Sequence, residues 1–508
     1  MGVEGAMAEA FCAIEVCARS PHAPPLALAN FAARPHDPGR TTTVRALVPS
    51  ASTTRRTGSR TIVWLRTAWW IPGVAVTGWF SWAYLKLRPS TVVSSSSHPG
   101  ATYGAWSWGH LAYSDAISLY YAFHLVNHAL PYFDTRVEYP VLTGLFMWLA
   151  AWAPGVQGYF LVSSLGLLAC ALGTTYVLYR LDYRFAWAFA VCPLLLVYGL
   201  LNWDLVAILF MVAGWAQFRA HRYASAGVLL SLGVWAKFFP IVLLFYCVVS
   251  LLGDPRDRVN ARRMAVWAGM VALVVNAPFA VGNLGNWDHF FVFNARRGGG
   301  GGILYELHLA STLSIPAVDV MSGVLVVLAV VVLVPQVLRG SSPMAAAAVA
   351  FAVLLLVNKV YSPQYMLWLF VFGVLAEWPV WSLVLMSVAG VVDYADAMTA
   401  LYLSHTHSPA FSWFLHALYP WNTVLRYCSI ALALCGGLVQ RHRATLTCGD
   451  RPRRPQRPHV VLAPVGPDGL LRPDDGSTVA SSDTEMRRRV LRSLTGRKLA
   501  PSKGAPAP

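Results

Sequence analysis

The few polar residues in the middle of this chain fall at the ends of apolar runs. "YSDAISLYY" sets Asp115 directly after a serine, and "NWDLVAILF" sets Asp204 at the mouth of a tight hairpin. "GVLLSLGVWAKFFPIVLLF" holds one cation, Lys237, in an otherwise apolar stretch. Asp134 and Glu138 follow in "PYFDTRVEYP". Arg296, Arg297, Glu306 and His308 lie in "NARRGGGGGILYELH", and "NKVYSPQYMLW" supplies Lys359, Tyr361, Gln364 and Tyr365. A carboxylate can take the proton of an acceptor hydroxyl as general base. Cations can hold the charge left on a departing phosphate. Tyr132, Tyr365, Trp106 and Trp108 can stack on sugar faces. The set suits transfer of a sugar from a lipid phosphate to a hydroxyl.

Each residue also has a plainer reading. Asp115 opens a helix, where a carboxylate meets the positive end of the backbone dipole. Lys237 can snorkel to headgroups. Tyrosine and tryptophan form belts at membrane interfaces. Asp204 is harder to dismiss, because an unpaired carboxylate between two apolar spans is costly.

The elements that must position these residues are membrane helices. The chain has 508 residues, 56% hydrophobic and 12% charged, with mean hydropathy +0.51. Soluble domains carry about 25% charged residues, so the expected class is all-α, polytopic and membrane-embedded. The net charge of +16 does not indicate nucleic acid, because much of it lies in the tails. The first 60 residues carry seven arginines, and the stretch from Arg441 onward twelve arginines and two lysines. Both tails, 1–60 and 441–508, read as disordered, basic and cytoplasmic. They flank a transmembrane domain over 61–440 in a multi-pass plasma-membrane protein.

About twelve spans are expected, from apolar runs approaching bilayer length. They fall at 61–85, 156–179, 185–201, 204–218, 223–236, 239–252, 264–281, 318–338, 344–360, 364–377, 380–400 and 418–438. The stretch 139–153 reads as re-entrant or interfacial. With the N-terminus inside, "RLDYR", "RAHR", "DPRDRVNARR" and Arg339 fall on the cytoplasmic side, as the positive-inside rule requires. The outer side then receives the first loop 86–138, the 202–204 hairpin, 237–240, the loop 282–317, "NKVYSPQY" and 402–417. In the first loop, Ser114 caps an expected amphipathic helix that lies on the outer leaflet and stops before Pro131.

Taken in order, "SD" opening an outer helix, "PYFDTRVEYP", "NWDLVAILF", "AGVLLSLGVWAKFFPIVLL" and "NKVYSPQYMLWL" resemble the polyprenol-dependent membrane glycosyltransferases of the C-type superfamily. More narrowly they resemble glycosyltransferase family 87, the actinobacterial mannosyltransferase-like proteins. The resemblance covers about residues 60–440 and implies the C-type multi-helix fold with outer-face helices. It implies an inverting transfer, usually of mannose, from a polyprenyl-phosphate sugar donor to a glycolipid or cell-envelope glycan acceptor. Carried over by position, Asp115 becomes the base, and Asp204 a second acid lining the site. Lys237, Arg296 and Arg297 become candidate phosphate contacts, with Lys359, Gln364 and Tyr365 closing the wall. Relatives usually follow the arginine with a polar segment leading to a glutamate. Here five glycines intervene before Glu306, without the GK[ST] of a phosphate-binding P-loop.

No cofactor is indicated. The carboxylates are compatible with a divalent metal, but no ligand spacing points to one, and the "HTH" pair His405 and His407 reads as loop. The eight cysteines show no CxxC pair and read as small hydrophobes. The competing expectation is a secondary transporter or lipid-linked sugar flippase, which would place charges near the bilayer midplane between internal repeats. A third is a noncatalytic lipid-handling scaffold.

Overall fold

The computed structural model describes residues 68, 70–96, 101–298 and 300–448. The N-terminal tail and most of the C-terminal tail lie outside the described residues. The chain divides at Ala444; of the unit beginning at Thr445 only residues 445–448 are described, as helix.

The described residues form α-helices and no strand, with isolated bridges only. The helices are α1 (Trp70–Ser96), α2 (Ala101–Gly109), α3 (Asp115–Ala122), α4 (Val141–Ala150), α5 (Gly155–Leu181), α6 (Tyr183–Ala190) and α7 (Leu194–Tyr198). They continue with α8 (Asp204–Arg219), α9 (Tyr223–Ala236), α10 (Ile241–Leu252), α11 (Arg258–Gly282), α12 (Leu284–Trp287), α13 (His289–Arg296) and α14 (Ile303–Ala310). The last are α15 (Ile315–Val331), α16 (Val334–Leu338), α17 (Pro343–Val357), α18 (Tyr365–Leu375), α19 (Val380–His405), α20 (Ala410–Ala417) and α21 (Tyr419–Cys448).

Five helical stretches among the described residues are long and apolar enough to cross a membrane: 155–181, 255–282, 315–338, 380–405 and 410–440. Their outward faces are apolar. Val266, Trp267, Leu273 and Val274 on α11, and Val320, Val324, Val327 and Val331 on α15, are all exposed. Contiguous exposed apolar surface on this scale needs a nonaqueous surrounding, so this is a membrane protein.

The helices differ from the sequence expectation at several points. Cys192 and Pro193 split the expected span 185–201 into α6 and α7, because proline withholds a backbone donor. α1 runs on to Ser96 through Pro89, so the first loop starts later than residue 86. The hydroxyls of Ser90 and Thr91 donate to the carbonyls of Leu87 and Arg88 beside that proline. α4 covers ten residues, about 15 Å, half the thickness of a bilayer core. α21 carries helix through 441–448, where a disordered tail was expected.

The helix expected from Ser114 to Pro131 ends at Ala122. His124 and His128 then take left-handed backbone (φ 55° and 56°) around a single 3-10 turn. Most of α3 is buried rather than laid on the surface: Asp115, Ala116, Ile117, Leu119 and Tyr120 are enclosed. A helix this short cannot stand on propensity and depends on packing.

Candidate functional site

Asp115 and Asp204 each open a helix, where the backbone dipole favours a carboxylate. The two helix starts are stitched together. The Asp115 N–H donates to the Leu201 carbonyl at 2.8 Å. Ser114 occupies the N-cap position of α3 but spends its hydroxyl on the Leu200 carbonyl, 2.6 Å away, instead of capping its own helix. The "NWD" hairpin thereby fixes where the Asp115 carboxylate sits.

That carboxylate is fully buried. Its Oδ1 accepts from the Tyr113 hydroxyl at 3.1 Å and its Oδ2 from the Tyr139 hydroxyl at 3.2 Å. Burial first, and the neighbouring Asp115 charge second, push the Tyr113 phenol well above its ordinary pKa, so it remains a donor at neutral pH.

Lys237 ends α9, and its ammonium lies 3.1 Å from Asp204 Oδ1. The same ammonium sits over the Tyr139 ring at 4.4 Å and near the Trp368 ring at 5.6 Å. Trp203 meets the Tyr139 ring edge-on at 5.4 Å. Tyr365 packs on Trp368 at 4.4 Å, and Tyr361 follows at 6.0 Å from Tyr365. Asp115, Asp204, Lys237, Tyr361 and Tyr365 therefore belong to one continuous set of contacts, assembled from chain segments more than 200 residues apart.

Inside this set, four buried N–H groups find no hydrogen-bond partner within the protein: Asn202 Nδ2, Trp203 Nε1, Gln364 Nε2 and Trp368 Nε1. The Gln364 Oε1 accepts from the Ser362 hydroxyl at 2.7 Å, which turns its amide nitrogen away from that partner. Buried donors are normally satisfied, so this excess of donors beside a cation suits an oxygen-rich, anionic ligand.

Other candidates are placed differently. Tyr132 is buried with φ 69°, and its hydroxyl donates to the carbonyls of Tyr139 and Pro140 at 2.9 and 2.8 Å, so it braces the chain before α4. Asp134 is exposed and accepts the Leu130 N–H at 2.7 Å as a turn cap. Glu138 is half-buried. Lys359 pairs with Asp319 at 2.9 Å, and its ammonium donates to the Ala295 carbonyl. Arg296 is exposed, whereas Arg297 stands over the Phe293 ring at 5.9 Å. The helix that carries Arg296 packs Phe290 and Phe291 against Phe238, the residue after Lys237, at 5.4 and 5.9 Å.

A second polar cluster lies on α19, α21 and the glycine-rich segment, and sequence reasoning missed its core. Arg426, buried in α21, donates through Nε to Asp393 Oδ1 at 2.8 Å, and its Nη2 closes the ion pair. Asn422 bridges Asp393 and Asp396 at 3.0 and 2.9 Å. Arg426 Nη1 and the Tyr427 hydroxyl both donate to the Gly301 carbonyl. The guanidinium stands 4.7 Å over the Tyr361 ring, which joins this cluster to the first. The signal in the sequence was two carboxylates in one apolar run and an arginine in another, each costly alone in a membrane.

The glycine-rich segment is tied to the 358–361 wall. The Gly300 N–H donates to the Lys359 carbonyl at 3.0 Å, and the Tyr361 N–H returns to the Gly300 carbonyl at 2.8 Å. Gly301 takes φ +63°, the left-handed region that suits glycine. At Gly302 an added Cβ would collide with the Asn358 carbonyl. Glu306, half-buried just beyond, accepts from the Tyr419 hydroxyl at 2.9 Å; burial raises its pKa against the opposing pull of that bond and of Arg426.

Among the described residues, no group of three or more His, Cys, Asp or Glu side chains is arranged to hold a metal. No known protein family, curated protein or solved structure matches this chain.

Proposed function

We propose that this protein is a membrane glycosyltransferase. It moves a sugar from a polyprenyl-phosphate donor to a glycolipid or cell-envelope glycan acceptor on the extracytoplasmic side, with inversion. Asp115 takes the proton of the acceptor hydroxyl, whose oxygen bonds to the anomeric carbon while the bond to the phosphate oxygen breaks. The electron pair leaves on the lipid phosphate, where Lys237 offsets its charge. Mannose, the twelve-span topology, the plasma membrane and cytoplasmic termini belong to the same reading and rest on the resemblance and the charge pattern.

One observation carries it: a buried carboxylate that accepts from two phenols is joined through Tyr139 to a lysine, in a set of contacts that also holds several unsatisfied buried donors. The test is to incubate purified protein with radiolabelled polyprenyl phosphomannose and candidate glycolipids. Label appearing in an acceptor supports the reading. Absence of transfer alongside solute or lipid-linked sugar movement in vesicles favours a transporter, a reading supported by the Asp393–Arg426 pair buried within apolar helices.

A further inference from the structure

We infer that Tyr139 is a positioning residue that couples the Asp115 carboxylate to the Lys237 ammonium, an inference that rests on reading Asp115 as the base. It is held at three points. Its carbonyl accepts from the Tyr132 hydroxyl, its ring edge meets Trp203, and its ring face lies under Lys237. With the ring so fixed, the hydroxyl donates to Asp115 Oδ2 at 3.2 Å. Tyr113 holds Oδ1 from the other side, so the two phenols together define the plane of the carboxylate. A base must aim a lone pair at its proton, and rotation of the carboxylate would lose that aim.

Tyr139 touches both halves of the site with different parts of itself, which makes the two roles separable. The hydroxyl serves Asp115 and the ring serves Lys237. A ligand phosphate drawing on Lys237 presses on the same ring whose hydroxyl orients the base, so donor binding and base alignment share one side chain.

Among the titratable and charged groups facing Asp115 are the phenols of Tyr103 from α2, Tyr113 and Tyr139, with the Lys237–Asp204 pair behind Tyr139. Removing the Tyr139 hydroxyl withdraws a hydrogen bond made to the charged form of Asp115 and so favours its neutral form.

The test uses the full-length protein in lipid nanodiscs. Dicyclohexylcarbodiimide, an apolar reagent that modifies protonated carboxyls, is applied across a pH series, and the adduct at Asp115 is quantified by mass spectrometry. In Tyr139→Phe the pH of half-labelling at Asp115 moves upward, while labelling at Glu306 does not change. Turnover of polyprenyl phosphomannose falls about 10- to 100-fold with donor KM unaltered. Tyr139→Leu also loses the ring and raises donor KM. Replacing Tyr139 with p-aminophenylalanine, which keeps the ring and an N–H donor, restores part of both profiles and serves if the phenylalanine variant does not fold. An Asp115 labelling profile identical to wild type in the phenylalanine variant overturns the inference. A shifted profile in a protein that transfers no sugar leaves Tyr139 in its positioning role and removes the glycosyltransferase reading instead.

Discussion

Asp204 and Lys237 close a buried ion pair, 3.1 Å apart, across the hairpin of α8 and α9. The lysine is thus already neutralised, and any phosphate it holds must share it with a carboxylate. Removing one partner leaves the other buried and uncompensated, at about 3–5 kcal/mol. Lys237→Met is expected to lose that much stability, and Asp204→Asn combined with Lys237→Met to regain most of it, measured by thermal unfolding in detergent. If donor binding also fails in the restored double variant, Lys237 has a ligand role beyond its ion pair.

Asp115→Asn keeps the size of the side chain and one acceptor for the phenols. It is expected to fold with wild-type yield and lose about 10²- to 10⁴-fold in transfer, the scale of general base catalysis. Turnover equal to wild type would remove Asp115 from the mechanism.

Glu306 has a folded-state pKa raised above the ordinary glutamate value of 4.5. Its contribution to stability is therefore full below that value and is lost as pH rises through the raised pKa. Glu306→Gln keeps an acceptor for Tyr419 and removes the charge. The variant is expected to melt at or slightly above wild type at pH 7, by about 1–2 °C. The difference should vanish below pH 4.5 in the same scan.

Gly302→Ala forces a Cβ into the Asn358 carbonyl. The 300–302 segment must then part from the 358–361 wall. Hydrogen exchange at the amides of Gly300 and Tyr361, whose bonds make that tie, is expected to quicken by at least tenfold, while amides of α8 and α9 keep wild-type rates.

The proposed topology puts residues 298 and 339 on opposite sides of the membrane-length stretch 315–338. Both positions are exposed. In a cysteine-free background, Gly298→Cys should react with an impermeant maleimide from outside intact cells. Arg339→Cys should react only after permeabilisation; the reverse pattern would invert the orientation.

What the sequence made legible was the isolated charge in an apolar run. Asp115, Asp204 and Lys237 stand out because each is expensive where it lies, and cost without an obvious partner is visible one residue at a time. Partnership is not. Tyr113 and Tyr139 look like interfacial aromatics until the fold brings both hydroxyls to Asp115. Asp393 and Arg426 are 33 residues apart in two runs that read as plain spans. Their pairing depends on how α19 and α21 turn their faces, which periodicity does not specify when the helix is apolar all round. Nor does the sequence show that α13, which ends in Arg296, packs Phe290 and Phe291 against Phe238, the residue after Lys237.

The Gly301 carbonyl receives two donors from the middle of α21, Arg426 Nη1 and the Tyr427 hydroxyl. The last helix is therefore no detachable anchor. A chain cut before Arg426 would take both of these donors from the glycine-rich segment and the guanidinium from Asp393 in one stroke, leaving the segment only its tie to the 358–361 wall, whereas a cut after Gln440 spares every one of these contacts. Affinity tags, reporters and deletions at this end of the protein should be planned around that boundary.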